Sequence, residues 1–264
     1  MHKNNSNEKI SYLILVTILV ILYTSCDKNS NRKHTYEVMK DAVTDIDGNH
    51  YDAIKIGDQI WMMQNLKTTH YADGTEIPLP TTNPSNPGFE TTEPYKWAPN
   101  DDSLHVGKFG WLYNWLAIVR NGNGSDRNPS GVQGICPDGW HVPSDAEWTE
   151  LTDYVSSDKK MRCNHDDFAI AKSMSATTDW ECGYDKCDAG YDLSKNNATG
   201  FSALPAGIAG FPIPSFGNNC SFWTATYYGD NRAYIRQLMS ENENVQRDSW
   251  PIQHDGLSVR CVKD

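Results

Sequence analysis

The apolar positions of this chain predict short extended segments near the start of its folded part. Between residues 38 and 66, runs of apolar side chains are separated by Asp47-Gly48-Asn49 and by Gly57-Asp58. Glycine accepts a positive φ and asparagine tolerates it, so both segments favour tight turns between antiparallel strands. We therefore expect a β-meander in this part of the chain.

The same kind of pattern returns in the C-terminal third. Four extended runs are separated there by Gly, Asn and Asp. These runs begin at Phe201, Ser221, Ala233 and Leu257. Between the second and the third run lies "YGDNR" at residues 228–232, which predicts a hairpin. Because no internal repeat divides the chain, we expect a single α+β domain over residues 37–264.

A helical period appears between these two strand-rich parts. Near residues 112–119, apolar side chains recur at i, i+3, i+4 and i+7, and Gly122 and Gly124 follow. The four apolar positions are Leu112, Trp115, Leu116 and Val119. This spacing predicts a helix with one buried face.

A second helical pattern begins in "GWHVPSDAEWTEL" at residues 139–151. Pro143 ends the preceding extended run, Ser144 is placed to cap a helix, and Glu147 completes the spacing of a capping box. The segment is therefore predicted to be a strand-to-helix joint. In this joint we expect His141 to be a hydrogen-bonded structural residue rather than a general base. The apolar helix face that follows consists of Trp148, Leu151 and Val155.

The beginning of the chain has the pattern of an export signal. Two lysines precede an apolar run from Ile10 to Leu22, which is shorter than the roughly 20 residues that a bilayer requires. Small residues before Cys26 resemble the lipobox of bacterial lipoproteins, although Tyr23 replaces the usual aliphatic residue. We expect residues 1–25 to be a lipoprotein signal peptide and Cys26 to be the lipidated residue. The alternative is an ordinary signal peptide with a cysteine there by chance.

This interpretation predicts where the protein resides. Residues 26–36 are polar and would serve as a tether between the lipid and the domain. The protein would be an outer-membrane lipoprotein of the cell envelope, on a side of that membrane that the sequence does not specify.

The charge of the chain restricts its partners. It has 34 acidic and 23 basic residues, which gives a net charge of −11 with neutral histidines. Nucleic-acid binding requires clustered lysine and arginine, and the sequence has no such cluster. We therefore expect membrane attachment through the lipid, but no binding of nucleic acid.

Six cysteines remain after Cys26, and an even number in an exported chain suggests disulfides. A zinc site would require two close pairs of ligands, and only Cys182 and Cys187 are close in sequence. Calcium would require more spaced oxygen ligands, and a closing glutamate, than Asp45, Asp47 and Asn49 provide. We therefore predict no metal site and no cofactor.

Six phrases that occur in order across residues 56–264 resemble one family. They are "IGDQIWMMQNL", "LYNWLAIV", "GICPDGWHVPSDAEWTEL", "ATGFSALPAG", "FWTAT" and "GLSVRCVKD". Together they resemble the Fibrobacter succinogenes major paralogous domain, found in exported and lipid-anchored proteins. The resemblance implies a C-type-lectin-like fold, shared with formylglycine-generating enzymes, of short twisted antiparallel strands, two helices and long loops. It implies no reaction, because one fold hosts unrelated functions.

The chain departs from the family pattern in two loops. The segment at residues 157–197 is enlarged, and the proline-rich loop at residues 77–100 is long. Loops of this kind are where recognition usually resides.

The resemblance also implies one disulfide. Cys136 and Cys261 belong to phrases that look like the family core, and we expect them to be bonded to each other. Cys261 would then be unavailable as the reactive thiol of a formylglycine-generating enzyme. The pairing of the other cysteines stays open; these are Cys163, Cys182, Cys187 and Cys220.

Nothing in the sequence names catalytic residues. There is no G-x-S-x-G segment, no pair of carboxylates stands out, and the triplets that calcium-dependent lectins use are missing. The alternative that stays open is an enzyme of the formylglycine-generating type with an altered active site.

Aromatic residues favour a binding function. The chain has 9 tryptophans and 13 tyrosines, whose flat faces suit sugars and protein partners alike. Trp97 and Trp250 lie in polar stretches without periodic apolar neighbours, so we predict that they are ligand contacts at the surface. The alternative is that each indole pins its own loop. The sequence thus favours a non-catalytic, lectin-like domain that binds a glycan or a protein partner.

Overall fold

The computed structural model describes residues 34–80, 91–120, 122–210 and 215–264. The predicted signal peptide, Cys26 and the tether as far as residue 33 lie outside these ranges. Within them, no helix is long and apolar enough to cross a membrane.

The described strands form three antiparallel sheets. They are β1 (Tyr36–Thr44), β2 (His50–Ile56), β3 (Gln59–Met62), β4 (Lys96–Trp97), β5 (Leu112–Tyr113), β6 (Trp140–His141), β7 (Asn219–Gly229), β8 (Arg232–Met239), β9 (Gln246–Pro251) and β10 (Val262–Lys263). The strand orders are β1-β2-β3-β10-β6, β4-β5 and β7-β8-β9. The protein is therefore α+β with antiparallel sheets.

The α-helices of the described ranges are mostly single turns. They are α1 (Val106–Phe109), α2 (Trp115–Ile118), α3 (Asp145–Ser157) and α4 (Ala171–Met174). Short 3₁₀ turns cover Pro99–Asp101, Ser103–His105 and Leu193–Lys195. Where two helices were expected, α3 is the one helix of the described ranges that is longer than one turn.

The predicted β-meander at the start of the domain is confirmed. β1 and β2 are joined through a turn in which Gly48 has a φ of 80°, and Gly57 has a φ of 64° between β2 and β3. The end of the chain completes this sheet, because Val262 of β10 pairs with Trp61 on one side and with His141 on the other.

The strand-to-helix joint is also confirmed. The Ser144 side chain accepts a hydrogen bond from the Glu147 backbone N–H, and the Glu147 carboxylate accepts one from the Ser144 N–H, which is a complete capping box. The buried face of α3 then packs into an aromatic cluster, with the Trp61 and Trp148 ring centroids 4.7 Å apart. Burial of Leu151 and Val155 agrees with the predicted apolar stripe.

The helix predicted for residues 112–119 is wrong in its first half. Leu112 lies in β5, and α2 starts only at Trp115. Asn114 separates the two elements, because its side-chain oxygen accepts hydrogen bonds from the Ala117 and Tyr95 N–H groups. An amide that caps a helix and also bonds the residue just before β4 overrides the helical period of the apolar residues.

In the C-terminal third, the hairpin around residues 228–232 is confirmed. Asp230 and Asn231 both have positive φ, 50° and 56°, as a two-residue hairpin turn requires. The run at Phe201 forms only isolated bridges, and the structure adds β9, which the sequence pattern did not indicate.

Two disulfides cross-link the described part of the domain. The implied bridge joins Cys136 to Cys261, and a second bridge joins Cys163 to Cys187 in the enlarged segment. Not all of the six cysteines are paired within the described ranges: Cys182 is exposed with a free thiol, and Cys220 is buried in β7 with a free thiol.

Candidate binding site

The structure contradicts the prediction that Trp97 lies at the surface. Its side chain is 4% exposed and packs in a small apolar cluster with Phe109 and Leu112. Gly256 permits this approach, since a Cβ there would meet the indole Cε3 at 2.6 Å. Pairing of β4 with β5 draws the polar stretch into the domain, a long-range effect that local composition does not report.

Trp250 is half-buried in β9, directly opposite Ala233 of β8. Its indole N–H donates a hydrogen bond to Asp255 Oδ2 at 2.7 Å, and its ring packs against the main hydrophobic core. Trp97 and Trp250 thus belong to separate apolar clusters. Neither indole is exposed in the way that a ligand contact at the surface would require.

The joint contains a buried charge network centred on His141. Its Nε2 lies 2.6 Å from Glu147 Oε1, and its Nδ1 lies 2.7 Å from Asp264 Oδ1. Burial alone would lower the pKa of His141, but the hydrogen bond and charge of Glu147, together with Asp264, raise it overall. With both ring nitrogens engaged and the side chain buried, His141 ties the terminal strand to the joint, as a structural residue does.

The first turn uses its carboxylates internally. Asp45 accepts hydrogen bonds from the Asp47 and Asn49 backbones and from the Tyr51 hydroxyl, the last at 2.6 Å. The oxygens that a calcium ion would require are therefore occupied by protein donors. Across the described ranges, no group of His, Cys, Asp and Glu side chains is placed to hold a metal ion.

An open site with polar, charged and aromatic side chains lies between α3 and the β8-β9 edge. It is a cleft of about 670 Å³, within the range of small-ligand sites, roughly 300–1,000 Å³. Helix α3 contributes Thr149, Thr152, Asp153 and Ser156; the enlarged segment contributes Asp167, Phe168 and Ile170; the sheet and the turn before β9 contribute Arg236, Asn244, Val245, Gln246, Arg247 and Asp248. We call this site the α3–β9 cleft.

Asp145, at the first position of α3, organises the two arginines of the cleft. Arg247 donates from Nε and Nη2 to the Asp145 carboxylate at 2.8–3.0 Å, and its guanidinium lies 4.0 Å from the Tyr234 ring centroid. Arg236, which is buried, donates to the same carboxylate and to Thr149 Oγ1. Burial alone would raise the pKa of Asp145, but the two arginines lower it overall.

The α3 wall of the cleft presents mainly acceptor oxygens. Thr152 Oγ1 donates to the Trp148 carbonyl at 3.1 Å, and Ser156 Oγ donates to the Asp153 carbonyl at 3.1 Å. Because both O–H groups donate to backbone carbonyls of the helix, the hydroxyl oxygens can act towards a ligand only as hydrogen-bond acceptors. The carboxylates of Asp153 and Asp248 add further acceptors to the same cleft.

Sequence reasoning did not find this cleft, although it indicated the right segment. The enlarged loop at residues 157–197 supplies Phe168, but Asp145 and Arg247 are 102 positions apart and meet only through the fold. The remaining signal was weak: two arginines, Arg236 and Arg247, that turn out to be directly opposite each other in neighbouring strands.

Comparison with known proteins places the chain in a family. The sequence model of the Fibrobacter succinogenes major domain matches residues 54–263. The chain belongs to this family. The matched range of the Fibrobacter succinogenes major domain includes the joint, both disulfides and the α3–β9 cleft. Neither the search of curated proteins nor the search of solved structures found a match.

Proposed function

We propose that this protein is a lipid-anchored component of the cell envelope whose domain recognises a glycan or a protein partner without catalysis. The observation that carries the proposal is the α3–β9 cleft, an open polar site in which Asp145 and Tyr234 hold Arg247 in place. Pre-positioned polar groups reduce the entropy that binding would otherwise cost. The lectin-like character of the fold is part of the same proposal.

The states of Cys261 and Cys220 favour recognition over the formylglycine-generating alternative. That chemistry requires a reactive cysteine pair in an open groove, whereas Cys261 is bonded to Cys136. Cys220 is buried, and burial raises the pKa of its thiol to about 12, which keeps it protonated at neutral pH.

The anchor rests on the short apolar run and the cysteine that follows it. Replacement of Cys26 by serine should move the protein from the membrane fraction to the soluble fraction, because the lipid would have no thiol to join. Replacement of the exposed free Cys182 by serine is the matched control and should leave the protein in the membrane fraction. A Cys26→Ser protein that stays with the membrane would contradict the anchor.

Recognition is tested with the full chain in detergent on a glycan array, and in cells with a photo-crosslinking residue at position 246 in the cleft. The same residue at the exposed position 58, outside the cleft lining, is the control. We expect glycan binding, or a crosslinked protein specific to position 246. If no glycan binds and both positions give the same crosslinks, the proposed function is wrong.

A further inference from the structure

We infer that the α3–β9 cleft selects neutral, hydroxyl-rich glycans, with the face of one sugar ring against Phe168. The inference rests on the proposed function and specifies the chemical class of its ligand. Three features of the cleft carry it: an excess of acceptors over donors, an exposed aromatic residue on a loop held by a disulfide, and two carboxylates that form no ion pair with any described residue.

The acceptor excess comes from both sides of the cleft. On α3, the hydroxyls of Thr152 and Ser156 already donate to backbone carbonyls, so they offer acceptor oxygens. Asp153 and Asp248 contribute carboxylates, whose oxygens act as acceptors. Thr149 Oγ1 likewise donates to the Asp145 carbonyl and accepts from Arg236. A ligand that forms hydrogen bonds with these acceptor oxygens must have many hydrogen-bond donors, as a sugar with several hydroxyl groups does.

The donors of the cleft are few and held in place. The N–H groups of Arg236 already donate to Asp145 and Thr149, so few of them can donate to a ligand. Arg247 is 50% exposed while its Nε and Nη2 bind Asp145, which leaves part of a fixed guanidinium facing the cleft. Together with the amides of Asn244 and Gln246, it can donate to hydroxyl or ring oxygens.

Phe168 provides an apolar face at the edge of this polar site. Phe168 is 75% exposed although it lines the cleft, so much of its aromatic side chain is open to a partner. The loop that carries it is constrained: Asp166 Oδ1 accepts from the Phe168 N–H at 2.8 Å, and Cys163 is bonded to Cys187. An exposed ring on a constrained loop loses little entropy when a sugar stacks on it.

The charge of the cleft disfavours acidic ligands. Asp167 pairs with Arg162, and the two cleft arginines share Asp145, whereas Asp153 and Asp248 form no ion pair within the described ranges. Their negative charges would repel uronate or sulfate groups, and this repulsion would weaken with added salt. Neutral hexoses and N-acetylhexosamines carry no such charge.

The test compares neutral, uronate-containing and sulfated oligosaccharides on one array, with the full chain in detergent. Phe168→Ala should raise the dissociation constant for the bound neutral glycan by about fivefold or more. Tyr184→Ala removes a ring that is 82% exposed but not part of the cleft lining, and it should leave binding unchanged. Melting curves of both variants verify that each is folded.

The repulsion of acidic ligands by the two carboxylates is tested with a separate variant. Asp153→Asn combined with Asp248→Asn keeps the size of both side chains and the oxygen that accepts from the Ser249 N–H. We expect weaker binding of neutral glycans and a smaller discrimination against uronates. Asp58→Asn, at an exposed turn outside the cleft, is the matched control.

Two results would overturn the inference while leaving recognition intact: preferred binding of acidic glycans, or equal effects of Phe168→Ala and Tyr184→Ala. Absence of binding to every glycan would also overturn it. In that case, crosslinking specific to position 246 would show that the proposed function survives through a protein partner, and its absence would show that both have failed.

Discussion

His141 Nε2 and Glu147 Oε1 lie 2.6 Å apart in the interior of the domain, and Glu147 is the residue that completes the capping box of α3. One carboxylate thus fixes the start of the long helix and also holds the histidine of the neighbouring strand. The other ring nitrogen of His141 contacts the carboxylate of Asp264, the last residue of the sequence. The stability of the joint therefore depends on the buried carboxylate of Glu147.

This arrangement predicts a loss of stability as the pH rises. The pKa of His141 is higher in the folded protein than its ordinary value, about 6.5. The stability that protonated His141 contributes is therefore fully present below about pH 6.5 and is lost as the pH rises through the folded pKa. Melting temperatures from pH 5.5 to 9 should fall in the native protein, and His141→Gln should flatten this dependence.

The same variant should be strongly destabilised at low pH. It leaves the Glu147 carboxylate buried without its cation, which costs about 3–5 kcal/mol for a buried pair. His141→Gln combined with Glu147→Gln removes the stranded charge and should recover part of the loss. If the single variant were as stable as the native protein, the buried pair would have no structural role.

The two disulfides should contribute unequally. Cys136 and Cys261 are separated by 125 positions, and Cys163 and Cys187 by 24. In the chain-entropy account, the longer loop contributes about 4–5 kcal/mol and the shorter about 3–4 kcal/mol. Denaturant unfolding of the two double alanine variants should therefore rank Cys136→Ala/Cys261→Ala as the less stable.

Peptide mapping of unreduced protein tests the pairing itself. A free thiol at Cys136 or Cys261, or a bond from either to another cysteine, would contradict the bridge and with it the predicted ranking.

Asp145 should matter more for stability than Arg247. Asp145→Ala leaves the buried Arg236 guanidinium without its carboxylate, which should cost about 3 kcal/mol, the low end for buried pairs. Arg247→Ala removes a half-exposed partner and should cost less than about 1 kcal/mol. Thermal unfolding at pH 7 compares the two; equal losses would show that the carboxylate is not the centre of the network.

The contribution of Asp145 to stability changes with pH in the opposite direction to that of His141. The folded pKa of Asp145 is lowered, so its contribution is present above the unfolded value of about 3.9 and is lost as the pH falls through the folded pKa. The stability difference between the native protein and Asp145→Ala should therefore shrink in acid below about pH 4. A difference that stays constant in acid would contradict this.

Trp97 should behave as a core residue. Trp97→Ala removes a large buried side chain and should cost about 3–5 kcal/mol, or about 6–20 °C in melting temperature for a domain of this size. Trp97→Phe is the informative partner variant: within the described chain the buried indole N–H has no hydrogen-bond acceptor, so its removal should cost far less. A Trp97→Ala protein with an unchanged melting temperature would restore the surface interpretation.

Local signals were enough to predict much of the framework. Gly48, Gly57 and the Asp230-Asn231 pair specify tight turns, because the backbone conformations they permit do not depend on distant residues. The Ser144 and Glu147 spacing specifies the start of α3 for the same reason. Six ordered phrases were enough to indicate the family, whose model matches residues 54–263.

Side-chain environments were decided by contacts that no local pattern encodes. Trp97 lies in a polar stretch but becomes buried when β4 pairs with β5. Arg260 is charged, yet it is fully buried between Phe201 and Phe222, bonded to Asn65 Oδ1, and burial lowers its pKa to about 9.

The α3–β9 cleft shows the same limit most clearly. Asp145 begins a helix, Arg247 lies in an edge strand that the sequence pattern did not indicate, and Phe168 belongs to a loop. Turn and cap preferences act over a few residues, so they are visible in the sequence. A binding site joins residues about 20 to 100 positions apart, and only the packing of helix against sheet brings their side chains to one surface.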